Sequence, residues 1–203
     1  DLVSGRVIVK LDEDWTVGET EYPAGALVDL DLAAVKARPG ALQPSLVWKP
    51  GPGDALEQVT SSEDRLLLAT LDNVRGRLWS LAYAPQSGWT ATRLDLPDNL
   101  ALSFGSADDQ SNLAFVNSAG FLAPNALYVT DAASGKVEPV KSLPAKSNAA
   151  GLKVEQHEAV STDGTKIPYF VVSRKAIPLD GSTPTILNAY GGFQSSSTPY
   201  YSG

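Results

Sequence analysis

The residues with the clearest capacity for chemistry form one short stretch near the end of the chain, Tyr190-Gly191-Gly192-Phe193. Two adjacent glycines leave the main chain bare, so its N–H groups can approach a ligand closely or adopt positive φ. The phenolic hydroxyl of Tyr190 beside such N–H groups supplies the donors that a developing oxyanion needs. Gly-Gly between aromatic residues is also typical of a strand-ending turn, so the stretch predicts either a plain turn or an oxyanion-stabilising site.

Two elements are predicted immediately before this stretch and would position it. Residues 185–187 form a short apolar run with two β-branched members, which indicates a buried strand that ends at the glycine pair. Upstream, Asp163-Gly164 separates two alternating runs, 154–162 and 166–174, and this pattern predicts a β-hairpin. A hairpin followed by a crossover into a buried strand is how an α/β domain could open.

The first 145 or so residues favour β-structure. Apolar runs recur between turn clusters rich in Gly, Pro and Ser, and the only predicted helix is the short run 32–36. The predicted strands are 6–11, 26–32, 45–48, 65–71, 76–82, 89–94, 112–116, 126–130 and 137–140.

A weak internal repeat groups these strands. Residues 62–94 and 106–140 each carry an acidic turn, a hydrophobic strand, a strand with an aromatic residue, a turn and an outer strand. Residues 5–48 form a more divergent unit. A period of about 45 residues suits a four-stranded propeller blade, and complete propellers have about four to eight blades. The sequence therefore predicts a partial β-propeller of about three blades, with an unrelated β-sandwich as the alternative.

Composition limits the function classes. The hydrophobic share of 43% and the charged share of 19% are ordinary for a globular protein. A net charge of -7 without a basic stripe argues against nucleic-acid binding, and no apolar run approaches the length of a membrane span. With no cysteine and one histidine, disulfides, a cysteine nucleophile and a clustered metal site are not expected. No phosphate-binding glycine loop occurs, so we expect no cofactor.

The composition becomes small and polar around residues 146–153, which indicates a linker. We therefore expect propeller blades over residues 1–145 and the first strands of a second, truncated domain over residues 154–203. Residue 1 is not methionine, so a targeting segment could lie upstream or have been removed, and the compartment stays open.

Four blocks in the second part resemble the prolyl oligopeptidase family of serine peptidases: Thr162-Asp-Gly-Thr-Lys-Ile-Pro168, Asp180-Gly-Ser182, Asn188-Ala-Tyr-Gly-Gly-Phe193 and Thr198-Pro-Tyr-Tyr-Ser202. The resemblance is sharp over about residues 155–202 and weaker but consistent over residues 1–145. It implies a mainly β fold, with the last propeller blades followed by the first strands of an α/β-hydrolase domain. It also implies a parent enzyme that cleaves proline-containing oligopeptides by acyl transfer, with the propeller restricting entry to oligopeptides.

The resemblance assigns roles to the residues of Tyr190-Gly191-Gly192-Phe193. Tyr190 matches the tyrosine whose hydroxyl helps to form the oxyanion hole. Phe193 matches an aromatic residue that lines the pocket for the substrate proline. Gly191 and Gly192 let the chain turn away between them.

The nucleophile that the resemblance calls for is missing from these residues. No Gly-x-Ser-x-Gly elbow occurs, so the serine, aspartate and histidine of the triad are expected beyond Gly203, and these residues alone are expected to be inactive. The only histidine, His157, lies in the first hairpin strand, upstream of any such nucleophile. We interpret His157 as a polar strand residue.

Other functions stay open at this point. The same fold also serves acylaminoacyl- and dipeptidyl-type peptidases, although Phe193 suits a flat ring such as proline. A non-catalytic propeller could instead bind a protein partner through Trp15, Trp48, Trp79 and Trp89, although tryptophan in strands more often packs in a core. Unpaired blade edges also predict self-association.

Overall fold

The computed structural model describes residues 1–193 and 195–202, which are almost entirely β-structure. The elements are, in chain order, β1 (Leu2–Val3), β2 (Arg6–Lys10), β3 (Trp15–Val17), β4 (Thr20–Tyr22), β5 (Leu27–Asp31), α1 (Leu32–Ala37), β6 (Ser45–Trp48), β7 (Asp54–Ser61), β8 (Arg65–Asp72), β9 (Arg75–Ala84), β10 (Gly88–Arg93), β11 (Ala101–Ala107), β12 (Leu113–Ala119), β13 (Ala126–Asp131), β14 (Lys136–Ser142), β15 (Leu152–Val160) and β16 (Lys166–Arg174). In the part of the chain that the structure describes, no helix is long and apolar enough to cross a membrane.

Three four-stranded antiparallel sheets follow one another along the chain. Their strand orders are β1-β2-β5-β6 (blade 1), β7-β8-β9-β10 (blade 2) and β11-β12-β13-β14 (blade 3). Successive four-stranded sheets of this kind are propeller blades, as the repeat predicts, and a two-sheet sandwich does not describe them. All nine predicted strands and the predicted helix are present.

Blades 1 and 2 pack through an apolar cluster that includes Ile8 and Leu27 of blade 1 and Leu66 and Leu68 of blade 2. Three of the four tryptophans pack against this cluster, and the fourth packs against a second cluster within blade 1. Core packing, the interpretation favoured from the sequence, is therefore confirmed for the tryptophans. The hairpin β3–β4 contributes to that second cluster, on the face of blade 1 that points away from blade 2.

A buried ion pair within blade 1 is also contacted by side chains of blade 2. Arg6 donates from Nε and Nη2 to the carboxylate of the fully buried Asp29, at 2.8 and 3.0 Å. Trp89 of blade 2 donates its indole N–H to the same carboxylate at 2.7 Å, and the Arg6 guanidinium lies 5.0 Å from the ring centre of Tyr83. The hydrogen bond to Asp29 raises the pKa of Arg6 further, against the effect of burial. Because every charge in this group has a partner, its burial is tolerated.

Blades 2 and 3 meet through apolar residues and one side-chain amide. Leu67 and Leu78 of blade 2 pack with Phe104 and Val116 of blade 3. Gln58 of β7 donates from Nε2 to the Phe104 carbonyl and accepts the Phe104 N–H at Oε1, both at 2.9 Å. The side-chain amide of Gln58 thereby pairs with the main chain of β11 in the way that the main chain of a neighbouring strand would.

The chain beyond blade 3 differs partly from the prediction. Strands β15 and β16 form the predicted hairpin, with Gly164 in its turn at φ +86°. The predicted buried strand at 185–187 is wrong, since these residues form no strand, and Ile186 and Leu187 are 95% and 89% exposed. A buried strand requires hydrogen-bonded neighbours and covered faces, and the described residues supply neither at this place. An α/β sheet is not shown in the described residues.

Candidate functional site

The four predicted site residues lie in one exposed segment, residues 190–193, which we call the Tyr190 loop. It lies between the hairpin β15–β16 and the segment 195–202. The side chain of Tyr190 is 60% exposed and that of Phe193 is 97% exposed. The loop is therefore open to solvent, as a site that receives a ligand from outside must be.

Within the loop, the structure brings Tyr190 and Gly192 together. The Tyr190 hydroxyl oxygen is 3.0 Å from the point that a Cβ on Gly192 would occupy, and the ring carbon Cζ is 3.2 Å from it. A side chain at Gly192 would displace the hydroxyl from the main chain. No atom lies within 4 Å of the corresponding point on Gly191. A side chain at position 191 would therefore meet no neighbour, whereas one at position 192 would meet the Tyr190 hydroxyl. The phenolic hydroxyl of Tyr190 thus lies beside the main chain of Gly192.

Phe193 takes a different position. Its φ is +54°, which is uncommon for a residue other than glycine, and the N–H of Ser195 donates to the Gly192 carbonyl at 3.1 Å. This turn directs the Phe193 ring into solvent, where it lines no enclosed pocket. Two surface cavities, of about 260 and 220 Å³, lie on blade 3 and beside α1 of blade 1, and neither includes a residue of the Tyr190 loop.

The hairpin before the loop rests on the propeller at two points. Gln156 of β15 and Phe170 of β16 are cross-strand partners. Gln156 donates from Nε2 to the carbonyl of Asn73, in the β8–β9 turn of blade 2. Phe170 lies edge-on to Phe121, in the β12–β13 connection of blade 3, with 5.3 Å between ring centres. One cross-strand pair therefore touches two neighbouring blades.

The segment after the loop returns to the same part of the propeller. Tyr200 lies edge-on to Phe121 with 6.0 Å between ring centres, and Pro199 is fully buried. The Tyr201 hydroxyl oxygen accepts the backbone N–H of Lys146 at 2.8 Å. Hydrogen bonding from this N–H, and then from the Ser147 side chain, lowers the pKa of Tyr201 because it favours the phenolate. The chain is thus fixed to the propeller on both sides of the Tyr190 loop.

These anchoring contacts were not predicted from the sequence. Tyr200 and Tyr201 belong to a block that carried the family resemblance, but nothing there indicated what they contact. The sequence did contain one signal, because Phe121 is a large apolar residue in a turn between two strands. In the structure it is half-buried, since other chain segments cover it. The sequence does not indicate its partners, because Phe170 and Tyr200 lie 49 and 79 positions after Phe121 in the chain.

His157 lies on the exposed surface of the hairpin. It is in β15, as predicted, and faces its cross-strand partner Tyr169 with 5.6 Å between ring centres. Across residues 1–193 and 195–202, no group of three or more His, Cys, Asp or Glu side chains is arranged to hold a metal ion.

Comparison with known proteins adds a family and several relatives. Residues 23–143 match the family described as "Prolyl oligopeptidase, N-terminal beta-propeller domain". The chain is 43% identical over 199 residues to an uncharacterized peptidase of Sinorhizobium fredii, which covers 98% of this chain and 27% of that protein. It is 31% identical over 118 residues to the prolyl endopeptidase of Elizabethkingia miricola, across 58% of this chain and 17% of that protein.

A solved structure gives the same relationship. The post-proline cleaving enzyme of Rickettsia typhi superimposes with a TM-score of 0.80 at 28% sequence identity, covering 98% of this chain and 29% of that one. The chain thus spans less than a third of the length of these relatives.

Proposed function

Because this chain belongs to the prolyl oligopeptidase family, whose N-terminal β-propeller domain its residues 23–143 match, we propose that the whole protein is a serine endopeptidase that cleaves oligopeptides at proline. The chain would supply the propeller blades that restrict access, together with the first segment of an α/β-hydrolase domain. Relatives named prolyl endopeptidase and post-proline cleaving enzyme support this assignment.

The observation that carries the proposal is the position of the Tyr190 hydroxyl beside the bare main chain of Gly192. In acyl transfer, the substrate carbonyl becomes a tetrahedral oxyanion, and donors that point to this oxygen before the reaction stabilise it at little further cost. Tyr190 has an O–H to donate, and glycine at position 192 leaves room for that hydroxyl beside the main chain. Loss of one such donor costs about 3–4 kcal/mol of barrier stabilisation.

Two further features fit the same chemistry. The Phe193 ring is exposed and apolar, so it is free to contact the flat ring of a substrate proline. The nucleophile itself lies outside these 203 residues in our proposal, because no Gly-x-Ser-x-Gly elbow occurs among them. We therefore expect the 203-residue chain alone to have no peptidase activity.

The test uses the full-length gene product. A fluorophosphonate probe should add once, at a serine outside this chain, as read by intact mass and peptide mapping. A fluorogenic peptide with a blocked amino terminus and an internal proline should be cleaved on the carboxyl side of the proline. Absence of both the adduct and the cleavage would contradict the proposal.

Removal of the Tyr190 hydroxyl then tests the proposed oxyanion site. Tyr190→Phe should lower kcat for the blocked peptide about 10²–10³-fold with little change in KM, because the donor acts on the transition state. The matched control is Tyr169→Phe, which removes a hydroxyl from another exposed tyrosine and should leave kcat unchanged. Equal kcat values for the two variants would remove Tyr190 from the site.

Substrate profile separates the proposal from its alternative within the fold. A dipeptidyl- or acylaminoacyl-type enzyme removes residues from the amino end of a peptide, whereas an endopeptidase cleaves a blocked peptide internally. Preference for the blocked peptide with internal proline supports the proposal. Preference for release of a terminal dipeptide or an acylated residue would replace it.

A further inference from the structure

We propose that Phe121 of blade 3 positions the Tyr190 loop from the propeller side by holding the chain segments that lead into and out of it. The inference rests on the proposed function and adds a residue to it. Phe121 has no group that could react, so its role is one of positioning.

The first argument is that one side chain contacts both flanks of the loop. Phe170, in the last strand before the loop, lies 5.3 Å from the Phe121 ring centre, and Tyr200, after the loop, lies 6.0 Å from it. Both contacts are edge-on, at interplanar angles of 61° and 62°. This is a favoured geometry for aromatic pairs, because the positive ring edge meets the negative face. Phe121 therefore sits between the two ends of the segment that carries Tyr190.

The second argument is that the chain leaving the loop is held at the place where Phe121 contacts it. In the described residues, the segment between β16 and the turn at Gly192 forms no strand or helix, and a loop takes its position from its ends. One of those ends, after the loop, is held by the Phe121–Tyr200 contact, the buried Pro199 and the bond from the Lys146 N–H to Tyr201.

The third argument concerns what the arrangement does for catalysis. An oxyanion donor is effective only when it is already in place, and a displacement of about 1 Å can cost on the order of 10²-fold in rate. Phe121 belongs to the propeller, whereas Phe170 and Tyr200 belong to the part of the chain that carries the site. The position of the Tyr190 hydroxyl thereby depends on contact with blade 3.

The experiment uses the full-length protein with three variants. Phe121→Ala removes both aromatic contacts, and Phe121→Tyr keeps the ring. Phe115→Ala removes an exposed phenylalanine from β12 of the same blade, outside this group of contacts. Two quantities are measured for each: kcat and KM for the blocked proline peptide, and amide hydrogen exchange in peptides that cover residues 195–202.

We expect Phe121→Ala to lower kcat about tenfold with KM changed less than about twofold, and to speed exchange in residues 195–202. Phe121→Tyr should keep kcat and the exchange rate close to their wild-type values, and Phe115→Ala should change neither of them. Unchanged exchange in Phe121→Ala would overturn the inference, as would faster exchange with unchanged kcat. A similar loss of activity and thermal stability in Phe121→Ala and Phe121→Tyr would also overturn it, because a general loss of structure would then explain the effect.

The two proposals fail in different ways. If the wild-type protein cleaves no proline peptide, the proposed function is wrong and the catalytic part of the inference falls with it. The exchange measurement still decides whether Phe121 holds residues 195–202. If cleavage is normal and exchange is insensitive to Phe121→Ala, the function stands and the inference falls.

Discussion

Substitution of Gln58 should loosen the joint between blades 2 and 3 more than any surface change on the same blades. Its side-chain amide makes two hydrogen bonds of 2.9 Å to the main chain of Phe104, one as donor and one as acceptor. Both strands are irregular here, since the register of β7 shifts between Leu56 and Gln58 and that of β11 shifts after Phe104. The Phe104 main-chain groups that face β7 therefore take Gln58 as their partner.

The magnitude follows from the two groups that lose their partner. Phe104 is buried, so Gln58→Leu leaves one N–H and one C=O unpaired away from water. Each unpaired buried group costs about 1–3 kcal/mol, so the free energy of unfolding should fall by about 2–6 kcal/mol. For a cooperative unit of 150–250 residues the lower bound would reduce the Tm by about 4–8 °C, and the reduction becomes smaller in proportion as the unit that unfolds together becomes longer.

Gln58→Glu gives a sharper version of the test. The introduced carboxylate still accepts the Phe104 N–H but repels the Phe104 carbonyl oxygen. Burial and that oxygen raise the pKa of the new carboxyl in the folded state above its unfolded value. Its favourable contribution is therefore complete below the unfolded pKa, when the group is protonated and can donate, and is lost as the pH rises through the folded pKa. The Tm deficit should be small in acid and large at neutral pH.

The assay is calorimetric unfolding of the full-length protein at acidic and neutral pH. Gln86→Leu and Gln86→Glu are matched controls, because Gln86 is exposed between β9 and β10 of the same blade. If the Gln58 variants unfold at the same temperature as the Gln86 variants, the two hydrogen bonds do not hold the blades together. A Gln58→Glu deficit that does not depend on pH would refute the electrostatic part of the reasoning.

Two further outcomes are expected from the same blades. Gly76→Ala should destabilise by about 1–3 kcal/mol, because the new Cβ would lie 2.7 Å from the Leu100 carbonyl oxygen. Calorimetry against Gly40→Ala, where no atom is within 4 Å, checks this, and equal Tm values would contradict it. Asp98→Asn should cost about 1 kcal/mol or less at neutral pH, since Asp98 is largely exposed. Burial acts to raise the pKa of Asp98, but the hydrogen bond and charge of Arg77, together with the charges of Arg93 and Arg75, lower it overall. This stability is therefore present above the ordinary carboxyl pKa and is lost as the pH falls through the lowered value. A difference between wild type and Asp98→Asn that persists in strong acid would be inconsistent with that origin.

The blades were largely predictable because their strands are hydrophobic runs bounded by turn residues. The sequence did not predict the first strand of any of the three blades, nor the small hairpin β3–β4, and the longest strands that it missed are β7 and β11. Their sequences, Asp-Ala-Leu-Glu-Gln-Val-Thr-Ser and Ala-Leu-Ser-Phe-Gly-Ser-Ala, contain polar and small residues, and the register shift in each breaks the alternation that marks a strand. Hydrogen bonds to the adjacent strand and packing against the next blade hold them in place, and neither is visible in a short window.

The candidate site divides in the same way. The pairing of Tyr190 with Gly192 was predictable because it is local, within three positions. The anchoring by Phe121 was not, because it depends on how the hairpin and residues 195–202 return to blade 3. The apolar run at 185–187 misled for a related reason, since strand propensity is realised only where partner strands exist.

The two-point contact of the hairpin has a mechanical consequence for the propeller. Gln156 contacts a turn of blade 2, and its cross-strand partner Phe170 contacts a turn of blade 3. The hairpin therefore bridges the interface between these two blades. Any opening of that interface would have to break one of the two contacts.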